Sequence, residues 1–133
     1  MTNVFIFGGR DFNDYELLKQ KCDEILKDIQ DNITIISGNA SGADSLGERY
    51  AKEKGYNVEL HPAKWNDLET IPCKIKYNKY GKAYNCLAGM NRNKDMANIA
   101  DIGIAFWDGK SSGTANSIKL CKSKGIRLEI IRY

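Results

Sequence analysis

Four short patches carry the residue types that bind anions: Gly8-Gly9-Arg10-Asp11-Phe12, Ser37-Gly38-Asn39-Ala40-Ser41-Gly42-Ala43-Asp44, Arg92-Asn93-Lys94-Asp95-Met96 and Gly109-Lys110-Ser111-Ser112-Gly113-Thr114. Three of them follow an apolar run and open an amphipathic segment. Their backbone N–H groups therefore face a common anion from strand ends and helix starts. The third patch lies on or at the edge of a helix and adds the Arg92 guanidinium. Four such patches in one small chain point to a site for a phosphorylated small molecule.

Each patch also has a plainer reading. Gly8 and Gly9 allow a tight turn and a close ligand approach, and Arg10 can fork onto a phosphate; the alternative is a simple strand-to-helix turn with a surface Arg–Asp pair. The patch is not a full G-x-G-x-x-G dinucleotide fingerprint. Ser37, Gly38, Gly42 and Ala43 leave room for a phosphate at a helix N-terminus. Asp44 is a candidate ligand contact, but its place early in that helix suits a capping role equally. The loop is not a Walker A motif, since no Gly-Lys-Ser/Thr closes it. Arg92 and Asn93 are candidate contacts pointing at the strand ends, whereas Met96 reads as core. Gly113 and Thr114 form a second glycine-rich turn, with Thr114 doubling as an ordinary N-cap. Trp107, just before that turn, offers an aromatic face to a base, and Trp65 does the same from another segment.

The elements that must position these residues alternate. Val4-Phe5-Ile6-Phe7 and Ile33-Thr34-Ile35-Ile36 are short, wholly apolar runs of β-formers, the pattern of strands buried on both faces. A helix follows the first, capped by Asn13 or Asp14 and running to about residue 30. A second helix spans residues 43 to 54, with Gly55 as its C-terminal cap. Residues 56 to 60 form a third, more polar strand that belongs near an edge. Regular structure then stops between His61 and Tyr84 and resumes as a helix from about residue 85 to 99. A strand at 102 to 106, a helix at 114 to 124 and a last strand at 126 to 131 complete the chain. This order predicts an α/β fold: a Rossmann-like, doubly wound, mostly parallel five-stranded sheet of order 3-2-1-4-5, with helices on both faces. Its topological switch falls between strands one and four, where the loops carrying Gly8-Gly9-Arg10 and Gly109 to Thr114 meet.

Composition sets the remaining limits. The chain of 133 residues is read as one domain with a net charge of +3. That charge suits an anionic ligand and falls short of the dense basic footprint of a dedicated nucleic-acid binder. Cys22, Cys73, Cys86 and Cys121 are widely spaced and His61 is the one histidine, so neither a metal site nor a disulfide framework is expected. No cofactor is implied. No apolar stretch approaches the roughly 20 residues of a membrane span, and the N-terminus lacks a signal-peptide shape; a cytoplasmic protein is expected. In the irregular stretch, Trp65, Tyr77, Tyr80 and Tyr84 interleave with Lys64, Lys74, Lys76, Lys79 and Lys82. That is the composition of a solvated loop packing on the domain or a partner subunit, and equally one that stacks bases and tracks phosphates. No Ser/His/Asp or Cys/His triad is present.

Together these motifs resemble the SLOG superfamily, the Rossmann-like proteins named for Smf/DprA and Lonely Guy, and within it the YspA-related branch. The resemblance covers nearly the whole chain. It runs through Gly8-Gly9-Arg10, Ser37-Gly38 with Gly42-Ala43-Asp44, His61-Pro62-Ala63-x-Trp65, Tyr80-Gly81-Lys82-Ala83, Ala88-Gly89 with Arg92-Asn93 and Met96, Ala100-Asp101, Ala105-Phe106, and Gly113-Thr114. Residues 66 to 78 look like an insertion. The resemblance implies a nucleotide or nucleotide-derived ligand: a nucleoside monophosphate, ADP-ribose or an NAD-related molecule. It also implies a homo-oligomer, since relatives often pair through helices.

Enzymes of this superfamily cleave the base–ribose bond of a nucleoside monophosphate, using an Arg and a Glu in Gly-Gly-x-Gly-Thr-x-x-Glu. Arg92 is the counterpart of that arginine. The glutamate position is Ser117, which cannot supply a carboxylate. Asp44, or Glu48 one helical turn beyond it, is the remaining candidate for a catalytic carboxylate. Three readings follow: a nucleotide sensor, sequestering or processing protein; an N-glycosidic hydrolase of a nucleotide; and, as in DNA-processing relatives, a single-stranded nucleic-acid binder.

Overall fold

The central strand explains the rest of the architecture. In the computed structural model, which describes residues 1–69 and 73–133, β1 (Thr2–Gly8) runs through the middle of the sheet, and Val4, Phe5, Ile6 and Phe7 are all buried. A strand with apolar side chains on both faces must be covered on both faces, and the helices provide the cover. Val4 and Ile6 point into one core with Leu18 and Cys22 of α1 (Tyr15–Leu26) and Tyr50 of α2 (Ala43–Lys54). Phe5 and Phe7 point into the other, with Met96 and Ala97 of α3 (Ala88–Ile99) and Ile118 and Cys121 of α4 (Ser112–Lys124).

The remaining strands are β2 (Ile33–Ser37), β3 (Asn57–Leu60), β6 (Ile102–Trp107) and β7 (Arg127–Arg132). All neighbours pair in parallel in the order β3-β2-β1-β6-β7. This is the doubly wound α/β sheet expected from the alternation of elements. Val4 pairs with Ile35 on one side and Ile102 on the other, which aligns the C-terminal ends of the three central strands. β3 lies at the edge, and every one of its residues is exposed.

Element boundaries differ most from the sequence expectations in four places. α1 ends at Leu26, several residues early, and its cap is Asp14, whose carboxylate accepts from the Leu17 N–H. α3 starts at Ala88 rather than near residue 85. α4 starts at Ser112, and its cap is Ser111 instead of Thr114, because the Ser111 hydroxyl accepts the Thr114 N–H. The stretch from 61 to 84 is only partly irregular. β4 (Ile75–Tyr77) and β5 (Ala83–Asn85) form an antiparallel hairpin outside the main sheet, with Lys76 opposite Tyr84. The hairpin lacks a sequence signal because its strands are only three residues long, too short for an apolar alternation to mark them. Residues 70–72, inside the expected insertion, lie outside the described residues. Among the described residues, no helix is long and apolar enough to cross a membrane.

Candidate functional site

Three loops leave the C-terminal ends of β1, β2 and β6 and meet at the switch point. Gly8 ends β1 so close to its neighbours that a side chain there would run into the Phe106 carbonyl and lie 2.9 Å from Ala43 Cβ. Only glycine lets β1, β6 and the start of α2 approach this far. Gly42, the N-cap of α2, holds φ at +76°, and the Gly9 carbonyl accepts the Ala43 N–H at 3.2 Å. Glycines at 8 and 42 therefore weld the loops after β1 and β2 into one surface.

A cleft of about 550 Å³ opens on that surface between α3 and α4. Gly8, Gly9 and Arg10 form one wall, Arg92 and Asn93 of α3 another, and Ser112, Gly113 and Thr114 at the start of α4 a third. Phe5, Phe7 and Met96 line its floor. The first-turn N–H groups of α4 have no acceptor within the helix, and the helix dipole adds positive potential there. A second cleft of about 290 Å³ adjoins the first, sharing Arg10, Ala40 and Arg92, and is lined further by Gly38, Pro62 and Trp65.

Arg92 stands between the two. Its Nη1 donates to the Gly38 carbonyl at 2.8 Å. Its Nε–H is buried without an acceptor among the described residues. Burial holds its guanidinium below the usual arginine range, opposed by the Asp44 carboxylate. Asp44 is 8% exposed, and its Oδ2 accepts the Ala40 N–H at 3.3 Å. It serves as a brace for the loop after β2 rather than as a helix cap. Burial pushes the Asp44 carboxyl up to about 6, against the Ala40 N–H, Arg92 and Arg10, which pull it down. The cleft thus contains a half-buried cation and a buried acid whose carboxyl is raised to about 6.

Most of the candidate residues converge here. Gly8, Gly9, Arg10, Asp44, Arg92, Asn93, Gly113 and Thr114 line the central cleft; Gly38 and Trp65 line its neighbour. Ala43 and Gly42 act from behind, through their backbone. Ser37 does not present its hydroxyl to a ligand: it is 1% exposed, donates to Glu48 Oε2 at 2.7 Å and accepts the Asn39 N–H. Glu48 is correspondingly engaged with Ser37 and is not among the residues lining the central cleft. Trp107 is also placed otherwise than expected. Its indole N–H donates to the Ser111 carbonyl, and the Arg132 guanidinium lies over its ring at 5.2 Å, so that face is already covered. Ser117, at the position of the enzymes' glutamate, is buried at the cleft wall.

Two further carboxylates, Asp11 and Asp108, line the central cleft. Asp11 accepts from the Tyr133 hydroxyl at 2.7 Å. Asp108 accepts the Lys110 and Ser111 N–H groups, each at 2.8 Å, which holds its carboxyl below the usual range. The signal for Asp108 was the Asp-Gly pair, a common Asx-turn opening. Among the described residues, no group of three or more His, Cys, Asp or Glu is arranged to hold a metal ion.

The parallel sheet, the glycine loops at its switch point and the arginine between them define a Rossmann-like α/β protein with a ligand cleft at its switch point. Comparison with known proteins narrows this. Residues 2–67, which carry Gly8-Gly9-Arg10 and Ser37 to Asp44, match the family described as the YspA, cpYpsA-related SLOG family. The chain belongs to the SLOG superfamily, in its YspA-related branch. Among solved structures, the X-ray structure of DNA processing protein A (DprA) from Streptococcus pneumoniae is similar to it, with a TM-score of 0.67 at 14% sequence identity. The match covers 99% of this chain and 50% of that one, so the chain spans half the length of that protein. At this identity the likeness is one of fold. No curated protein matches the chain.

Proposed function

We propose that this protein binds a nucleotide or nucleotide-derived small molecule, such as a nucleoside monophosphate, ADP-ribose or an NAD-related molecule, as a sensor, sequestering or processing protein. Family membership and the DprA-like fold support a nucleotide- or nucleic-acid-related role in general terms. The observation that carries the specific reading is Arg92, fixed by the Gly38 carbonyl at 2.8 Å and lining the central cleft together with the first turn of α4. Gly113 and its neighbours supply backbone donors, Arg92 and Arg10 supply charge, and the cleft volume suits a small ligand.

The test is to incubate the purified protein with AMP, ADP-ribose, NAD and cyclic ADP-ribose, then identify bound and released species by mass spectrometry. Recovery of one of them intact from wild-type protein, and not from Arg92→Ala, is the expected result. Failure to retain any of them, with no new product, overturns it.

A second reading rests on Asp44. A buried carboxyl titrating near 6 in a cleft is suited to give a proton to a departing base. In that case free base accumulates in the same assay, and Asp44→Asn retains the nucleotide without releasing base. The absence of a carboxylate at Ser117 favours the binding reading.

A further inference from the structure

The two clefts that meet at Arg92 each carry apolar or aromatic side chains and share two cations. Phe7 and Met96 line the floor of the central cleft, and Trp65 lines the adjoining one. Arg10 and Arg92 belong to both. Building on the nucleotide reading, we infer that the ligand carries two ring systems joined through phosphates, with one ring on the Phe7–Met96 floor, the phosphates between Arg10 and Arg92, and the second ring on Trp65.

Trp65 is held for such a contact. Its indole lies over Gly89 in the first turn of α3, where an added Cβ would sit 3.3 Å from Trp65 Cη2 and 3.7 Å from Arg92 Nη2. The ring and the guanidinium are therefore side by side. Its carbonyl accepts the Asn85 N–H at 2.7 Å, and Tyr84 meets its ring edge-on at 6.5 Å between centroids. Despite these restraints Trp65 remains 42% exposed. A large aromatic side chain fixed in place and left open beside a cation is a stacking platform. A ligand with one ring occupies either the Phe7–Met96 floor or the Trp65 face and leaves the other empty. Two rings flanking a phosphate bridge match an apolar floor in one cleft, an aromatic ring in the other and two arginines common to both.

The decisive experiment is titration calorimetry with a ladder of ligands: AMP, ADP, ADP-ribose and two-ring dinucleotides (NAD and diadenosine diphosphate). The expected result is that a two-ring ligand binds at least tenfold tighter than ADP, with ADP-ribose intermediate. Trp65→Ala abolishes that gap while leaving ADP affinity within about twofold, and Trp65→Phe keeps most of it. Equal affinity of wild-type protein for ADP and both dinucleotides overturns the inference and leaves the nucleotide reading standing. An equal loss of ADP and dinucleotide binding in Trp65→Ala also overturns it, since Trp65 would then hold the only ring. Absence of binding along the whole ladder removes both readings. The wild-type ladder decides the matter even if the alanine variant does not fold.

Discussion

Arg92 and Gly38, 54 residues apart in sequence, are joined by a hydrogen bond from Nη1 to the carbonyl at 2.8 Å. It fixes α3 against the loop after β2 and pre-sets the guanidinium at the junction of two clefts. A cation already oriented by protein loses little freedom on meeting an anion, which is how such a contact contributes to affinity. The same bond leaves the Nε–H buried and unpaired among the described residues. The arrangement favours binding over compactness.

Removing that guanidinium should therefore affect the ligand more than the fold. Arg92→Ala is expected to weaken nucleotide binding by 10- to 100-fold, the equivalent of about 1.5–3 kcal/mol for hydrogen bonds to a charged group. Its unfolding free energy should change by only about 1 kcal/mol. Arg92→Lys should not restore binding, because an ammonium cannot both reach the Gly38 carbonyl and fork onto a phosphate. Calorimetry and urea unfolding of the two variants check both parts.

Gly38 has the opposite profile. A Cβ at this position would lie 2.9 Å from Asp44 Oδ2 and 3.3 Å from Arg92 Cζ. Both groups are partly or fully buried, so neither yields freely. Gly38→Ala is expected to cost about 1–3 kcal/mol of stability by overpacking and to displace Arg92 enough to reduce binding about tenfold. Chemical denaturation and ligand titration of the same preparation test this; an alanine variant as stable as wild type would show that the loop relaxes.

Asp44 links stability to pH. Its carboxyl titrates near 6 in the folded protein, against 3.8 for the unperturbed group, chiefly because it is buried. Between those values the folded state holds a proton that the unfolded chain has released. Stability therefore falls as pH rises through this window, by about 3 kcal/mol in total. Asp23, Asp31 and Glu53 are shifted downward by hydrogen bonds and slope the other way, but they are common to both proteins in a comparison with Asp44→Asn. The asparagine variant should gain stability relative to wild type as pH rises from 4 to 7. It should also bind anionic ligands more tightly at pH 8, where wild type keeps a negative charge beside Arg92. Paired unfolding curves at several pH values measure the first effect, and calorimetry at pH 8 the second.

The fold was legible where burial was two-sided. Val4 to Phe7 and Ile33 to Ile36 are unbroken runs of β-formers bounded by glycine or serine turns, and alternating them with amphipathic helices leaves few topologies. The site was legible to the extent that it is made of backbone: Gly8, Gly9 and Gly42 stand where chain conformation or close approach demands them, whereas Gly113 has open space around it. Side-chain roles were harder. Ser37 and Glu48 consume each other across 2.7 Å, a pairing set by the distance from β2 to α2 and invisible in residue types. Trp107 is capped by Arg132 through the pairing of β6 with β7, a contact between opposite ends of one motif. Both depend on tertiary register, which local pattern does not encode.

The hairpin that carries Trp65's neighbours hangs on one buried amide. Asn85 is 1% exposed, and its Oδ1 accepts the Lys74 N–H at 3.2 Å and the Leu87 N–H at 3.0 Å, while its own N–H donates to the Trp65 carbonyl. One side chain thus joins the entry to β4 to the start of α3. Truncation leaves two backbone donors without a partner, at about 1–3 kcal/mol each when they stay buried. Because β4 and β5 pair only with each other, the hairpin opens locally before the main sheet does. Asn85→Ala is expected to speed hydrogen exchange at the Lys74 and Leu87 amides at least tenfold, with exchange in β1 and β6 unchanged. Asn85→Asp, which keeps the accepting oxygen, should preserve protection at both amides. If Asn85→Ala instead accelerates exchange throughout the central sheet, the hairpin is part of the cooperative core, and its freedom to adjust around Trp65 is correspondingly small.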